Sequence, residues 1–277
     1  MKSNLKYFAP CLLALLTQAA FAVPTSGGSN LAVLGGPAVT CTDSTITGNV
    51  DIFAPVPSGS SVTQTNCTIN GTIHAGDASA VQDNTAFFSA YDAAAATQCS
   101  QVLTGTLAGV TLAPGVYCFD AAATLTGLLT LKGPSNGIWL FKVGTLGTGA
   151  LTGTNLSMVM DGGGQACNVT WQVAQAATMT TSDFLGTILA GAAITLTGGT
   201  FNGDALAKSA VTLTGSTLTP CTLAGGPSKS PQQRCNQGVG NGPEGCDPGN
   251  SNQGNPFRSN DEIGGVPGTP GRQGGNK

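Results

Sequence analysis

Ala177-Thr178-Met179-Thr180, Ile194-Thr195-Leu196-Thr197 and Val211-Thr212-Leu213-Thr214 are one phrase written three times, at intervals of 17 residues. The same offset superposes Phe184, Phe201 and Leu218, then Gly186 on Gly203, then Ile188-Leu189-Ala190 on Ala205-Leu206-Ala207. Trp171-Gln172-Val173 continues that last column one copy earlier. A short fixed period means stacked, near-identical units, each burying its apolar side against the next. Thr-apolar-Thr has the period of a strand, so both threonines share one face and the residue between them points into the core. The expected object is a coil of short strands bearing an outward ladder of threonines.

Working outward, residues 30–75 give short strands, Leu31–Leu34, Ser44–Thr47 and Thr68–Asn70, broken by Gly35-Gly36, Pro55 and Pro57. Asp77 is placed to cap a helix over about residues 77–98, with Val81, Phe88 and Ala95 seven apart and Phe87 and Tyr91 beside them. The expected role of that helix is a buried stripe along the β core. Strands resume at Val110–Phe119, Ala123–Lys132, Ile138–Val143, Leu156–Met160 and Val169–Val173 before the three ladder copies. Residues 225–277 hold 14 glycines and 7 prolines with few aliphatic side chains, the composition of a disordered tail.

The first 22 residues have the layout of a secretory signal peptide: Lys2 and Lys6, an apolar run from Phe8 to Leu16, and Ala20-Phe21-Ala22 as cleavage site. Residues 23–224 form the expected folded domain. Export makes Cys41, Cys67, Cys99, Cys118, Cys167, Cys221, Cys235 and Cys246 candidates for disulfides. Eight cysteines allow 105 pairings. Neighbourhood along the chain favours Cys41 with Cys67, Cys99 with Cys118, Cys167 with Cys221 and Cys235 with Cys246. None has the CxxC spacing of a zinc site, and no metal or cofactor is expected.

Charge is scarce: residues 23–224 contain three lysines, nine aspartates and no glutamate, against 34 threonines. Such a surface suits neither nucleic acid nor anionic membrane. No stretch beyond the leader is apolar enough over its length to insert into a bilayer, and a monomer is expected. An enzyme is not expected either. His74 is the single histidine, no serine sits in a Gly-x-Ser-x-Gly elbow, and the aspartates are scattered, with Asp183 and Asp204 assigned to corners between strands. Trp139 and Trp171 fall in apolar alternation and are expected in the core.

Thr111-Leu-Ala-Pro-Gly-Val-Tyr-Cys-Phe119, Leu125–Leu131, Ile138–Phe141, Ala166–Val173, Gly186–Ala190 and Phe201–Lys208 together resemble, in order, the blocks of the ice-binding protein family DUF3494. Leu31–Leu34 and Ile46–Val50 fit the start of the same pattern, so the resemblance spans about residues 29–222. It implies an all-β dominated fold, a right-handed, discontinuous β-solenoid of triangular section with one long α-helix packed alongside. It also implies a secreted protein whose partner is an ice crystal surface, held by one flat face carrying a loose Thr-(Ala/Gly)-any-(Thr/Asn) motif. Thr152-Gly-Thr-Asn155, Thr197-Gly-Gly-Thr200 and Thr214-Gly-Ser-Thr217 match that motif, and Thr180-Thr-Ser-Asp183 departs from it. With the ladder, the candidate ice-binding residues are Thr152, Asn155, Thr178, Thr180, Thr195, Thr197, Thr200, Thr212, Thr214 and Thr217.

Threonines two apart on a strand lie about 6.6 Å apart and neighbouring strands about 4.8 Å apart, spacings close to repeat distances in ice. The competing reading is an extracellular adhesin or structural surface module, because threonine suits any solvent-facing strand.

Overall fold

The computed structural model describes residues 30–53 and 61–221. The expected leader, the expected tail and the Cys235–Cys246 pair lie outside these residues. Two parallel sheets wind together into a β-solenoid. The first contains nine strands, in the spatial order Ile73–Ala75, Asn49–Ile52, Leu31–Gly35, Ala205–Ala207, Thr187–Ala190, Val169–Val173, Trp139–Val143, Gly115–Phe119, Gln101–Val102. The second runs Ser61–Thr65, Ala38–Thr42, Val211–Thr214, Ile194–Asn202, Ala177–Leu185, Leu151–Asp161, Ala123–Lys132, Val110–Leu112, and from Ile194–Asn202 it also branches through Thr217–Thr219 and Thr45–Thr47 to Thr68–Asn70. The first coils of the chain therefore stack on the last one: Thr212 pairs with Thr40 and Val33 with Ala205.

Alternation sorts the side chains. In the first sheet Tyr117, Phe141, Trp171, Ile188, Ala205, Val33 and Val50 occupy one register column and point into the coil. Phe141 stacks on Trp171 at 3.9 Å between ring centroids, and Phe184 and Phe201 continue the pile from the second sheet. Trp139 and Trp171 are fully buried, as expected.

The other face of the first sheet is covered by the helix Ala78–Ala96, capped by Asp77, whose side chain accepts from the Ala80 N–H. The column beneath it reads Cys118, Lys142, Gln172, Leu189, Leu206, Leu34, Asp51, His74. Leucines fill the middle, where Phe87, Ala90 and Tyr91 pack, and polar residues stand at both ends. Lys142 donates to the carbonyls of Ala95 (2.7 Å) and Thr97 (2.5 Å), closing the helix C-terminus with a cation where the helix dipole favours one.

The helix boundaries agree with the sequence reading, but its buried stripe does not. Val81, Phe88 and Ala95 face solvent, and Ala80, Asp83, Asn84, Phe87, Ala90, Tyr91 and Ala94 face the sheet. Alanine on every side leaves the apolar periodicity flat, so packing rather than pattern decides the face.

Three disulfides join Cys41 to Cys67, Cys99 to Cys118 and Cys167 to Cys221, the neighbour pairs favoured by sequence, with Cα–Cα separations of 5.7, 5.8 and 5.1 Å.

Candidate functional site

The second sheet folds over a bend into two solvent-facing panels. In the first panel, Thr124, Thr152, Thr178, Thr195, Thr212, Thr40 and Thr63 form one unbroken register column. Thr154, Thr180, Thr197, Thr214, Thr42 and Thr65 form the next. Between them Met179, Leu196 and Leu213 are buried, so the Thr-apolar-Thr reading of the strands holds. Two residues before each first-column threonine stands Ala122, Ala150, Ala176, Ala193, Ala210 or Ala38, with Ser61 on the end strand. The first panel is thus a sheet of alanine and two files of threonine with no charged side chain in any file. Six inter-strand steps make it about 29 Å long.

A left-handed residue follows each second-file position. Asp43, Asn155 and Thr181 have φ of 47°, Asn66 49°, and Gly127, Gly198 and Gly215 between 64° and 68°. One such residue on every strand swings the chain out of the panel, as a bulge does. The next residue in three strands is a buried serine that accepts or donates around the bend. Ser44 Oγ donates to the Thr42 carbonyl at 2.7 Å, Ser182 Oγ to Thr180 at 2.9 Å, and Ser216 Oγ to Thr214 at 3.3 Å. Ser44 Oγ also accepts from the Ser216 N–H and Ser182 Oγ from that of Leu156, which links neighbouring strands at the corner.

Beyond the bend the second panel is less regular. Its first file reads Leu128, Ser157, Asp183, Thr200, Thr217, Thr45, Thr68. Thr200 Oγ1 donates to Asp183 at 2.6 Å, and a Lys132–Asp161 ion pair of 2.8 Å lies farther out. Asp183 belongs to the strand Ala177–Leu185 and not to a corner, which corrects the sequence assignment. Asp204 does sit between strands, but it is buried: it accepts from Thr187 Oγ1 at 3.0 Å and from the Cys221 N–H at 3.0 Å. Desolvation pushes its carboxyl up to about 7.

The sequence-derived residues divide accordingly. Thr152, Thr178, Thr195 and Thr212 share the first file, and Thr180, Thr197 and Thr214 the second. Thr200 and Thr217 lie past the bend on the second panel. Asn155 is in the bend itself: Thr152-Gly-Thr-Asn155 matches the motif as a string, two residues out of register with Thr197–Thr200 and Thr214–Thr217. The string in register on that strand is Thr154-Asn-Leu-Ser157. Thr40, Thr42, Thr63, Thr65, Thr124 and Thr154 extend the files and were not singled out from sequence. The repeated Val-Thr-x-Thr of residues 39–42 and 62–65 carries the signal, but at an offset of 23 rather than 17.

Among the described residues no group of three or more His, Cys, Asp or Glu is placed to hold a metal ion, and no helix is long and apolar enough to cross a membrane.

Residues 18–219 match the family model described as ice-binding-like. An ice-binding protein of Nostoc sp. (strain HG1) is 37% identical over 171 residues, 60% of this chain and 61% of that one. This chain thus spans about three-fifths of the length of that relative. The crystal structure of an ice-binding protein from the Antarctic ascomycete Antarctomyces psychrotrophicus superposes with a TM-score of 0.64 at 31% identity, covering 70% of this chain and 96% of that one. Another, of an ice-binding protein from an Antarctic biological consortium, gives 0.62 at 30% identity over 79% and 94%. With the family model matched over most of its length, this chain belongs to the ice-binding-like family.

Proposed function

We propose that this protein is exported and adsorbs to ice through the first panel, the alanine file and the two threonine files. The observation that carries the reading is the uninterrupted register of uncharged, short, stiff side chains over seven strands. Threonine is β-branched, so its χ1 is restricted before any ligand arrives and ordering it costs little entropy. The hydroxyls anchor water at lattice spacing, while the methyls of threonine and alanine leave the ground between them poorly hydrated. Each contact is weak, and many act at once because the backbone fixes them in one plane. Thr200, Thr217 and Asn155 then mark the border of the surface and not its centre.

The similarity to ice-binding proteins supports the same reading, and three disulfides among the described residues suit an oxidising destination. The family is described by binding rather than by a reaction. The protein acts without catalysis and as a monomer.

The test is a seeded crystal in supercooled solution. Wild-type protein is expected to shape the crystal and to be taken up into growing ice, which an adhesin or structural module would not do. Thr197→Tyr and Thr214→Tyr each place a ring across neighbouring strands of the panel and are expected to abolish shaping. Their stability should change by only about 0.5 kcal/mol, because both sites face solvent. Gln82→Tyr, exposed on the helix at the opposite side of the first sheet, should leave shaping unchanged. Full shaping by both tyrosine variants would move the binding face off this panel.

A further inference from the structure

Near one end of that column, between sheet and helix, stand two groups that neither packing nor ice binding uses. Asp51, on the strand Asn49–Ile52, is fully buried, and Asp83 projects from the second turn of the helix at 2% exposure. The two carboxyls meet between helix and sheet, and neither Asp51 oxygen has a hydrogen-bond partner elsewhere among the described residues. Beside Asp51 in register are Leu34, which is apolar, and His74 on the terminal strand Ile73–Ala75. His74 Nδ1 lies 2.8 Å from the carboxylate of Asp77, the residue that caps the helix. Asp51, Asp83, His74 and Asp77 are thus the ionisable groups at this junction of two strands and the helix N-terminus.

Two carboxyls in contact in a dry site cannot both ionise cheaply, and one shared proton turns their repulsion into a hydrogen bond. We propose that the Asp51–Asp83 pair is a proton-operated latch, holding the first half of the helix and the terminal strand Ile73–Ala75 onto the coil and releasing them when the shared proton is lost. Burial first, and then the neighbouring Asp83 carboxyl, push Asp51 up to about 7, so the latch works near neutrality. His74, one strand farther out, is held above its ordinary value first by its hydrogen bond to Asp77. The other helix end is held by Lys142 on backbone carbonyls, so release is confined to the N-terminal half.

The experiment is hydrogen exchange read by mass spectrometry between pH 5 and 9, corrected for intrinsic exchange. It compares peptides covering residues 73–92 with those covering residues 187–207. Opening releases one proton wherever the closed pair holds it and the open pair does not. The open fraction of residues 73–92 should therefore rise about tenfold per pH unit from 5 to 7 and flatten above 8. Residues 187–207 should not respond. Asp51→Asn, whose amide donates to Asp83 at every pH, should abolish the dependence, and if it fails to fold Asp83→Asn carries the same expectation. Equal corrected protection of residues 73–92 at pH 5 and pH 9 in the wild type overturns the proposal, as does an unchanged pH profile in a folded Asn variant.

Discussion

Thr181 is the residue where chemistry and geometry disagree most openly. Its φ of 47° puts a β-branched side chain in the left-handed region, where the equivalent residues of neighbouring strands are glycine, asparagine or aspartate. Nothing but the bend demands that conformation, and the site is exposed. Thr181→Asn, borrowing the residue found at Asn155 and Asn66, should stabilise the protein by about 1 kcal/mol, measured as a raised urea midpoint at unchanged slope. Single residues also show what sequence could reveal. The threonine files were legible because the 17-residue period places Thr178, Thr195 and Thr212 directly over one another. The out-of-register Asn155 was not, because a four-residue motif carries no information about which residue turns the corner.

At the scale of elements, the helix is held at its two ends by polar groups and in its middle by leucines, phenylalanine and tyrosine. Lys142 satisfies two carbonyls that the helix itself leaves open, in a site that burial makes unfavourable for the charge, as its lowered pKa shows. Lys142→Met keeps the aliphatic stem and removes both bonds. The expected cost is about 2 kcal/mol, seen as a melting temperature lower by about 4–8 °C. Sequence placed this helix correctly and oriented it wrongly. Val81 and Phe88 look like core residues by type and spacing, whereas Asp83 and Asn84 do not. The structure turns both toward the sheet, where Asp83 meets Asp51 on a strand that no local pattern connects to the helix. The N-terminal strands were read as strands, but their place beside Val211–Thr214 depends on contacts such as Ser216 N to Ser44 Oγ, 172 residues apart.

For the whole molecule, pH dependence is governed by the two buried carboxyls. Asp51 and Asp204 titrate at about 7 in the folded chain against an ordinary 3.8, so folding favours their protonated forms. The stability they contribute is complete below about pH 4 and drains away as the pH climbs through 7. Asp77 and Asp161, whose pKa values are lowered by their hydrogen bonds, act oppositely, but only on acidification below about 4. The melting temperature should therefore be higher at pH 5 than at pH 8, by calorimetry at matched ionic strength. An Asp51→Asn, Asp204→Asn double variant should lose most of that difference.

The seam between Thr40–Thr42 and Thr212–Thr214 gives the panel a history as well as a shape. A ribosome releases Thr40–Thr42 long before Thr212–Thr214, and until the later strand docks on the earlier one the threonine files exist as separate fragments of two and five strands. Joining them is a contact of very long sequence separation, the kind that forms slowly. On the proposed reading a crystal lattice rewards extent, and neither fragment would grip as the joined surface would. The adsorption proposed for this panel is thereby deferred until that one seam closes.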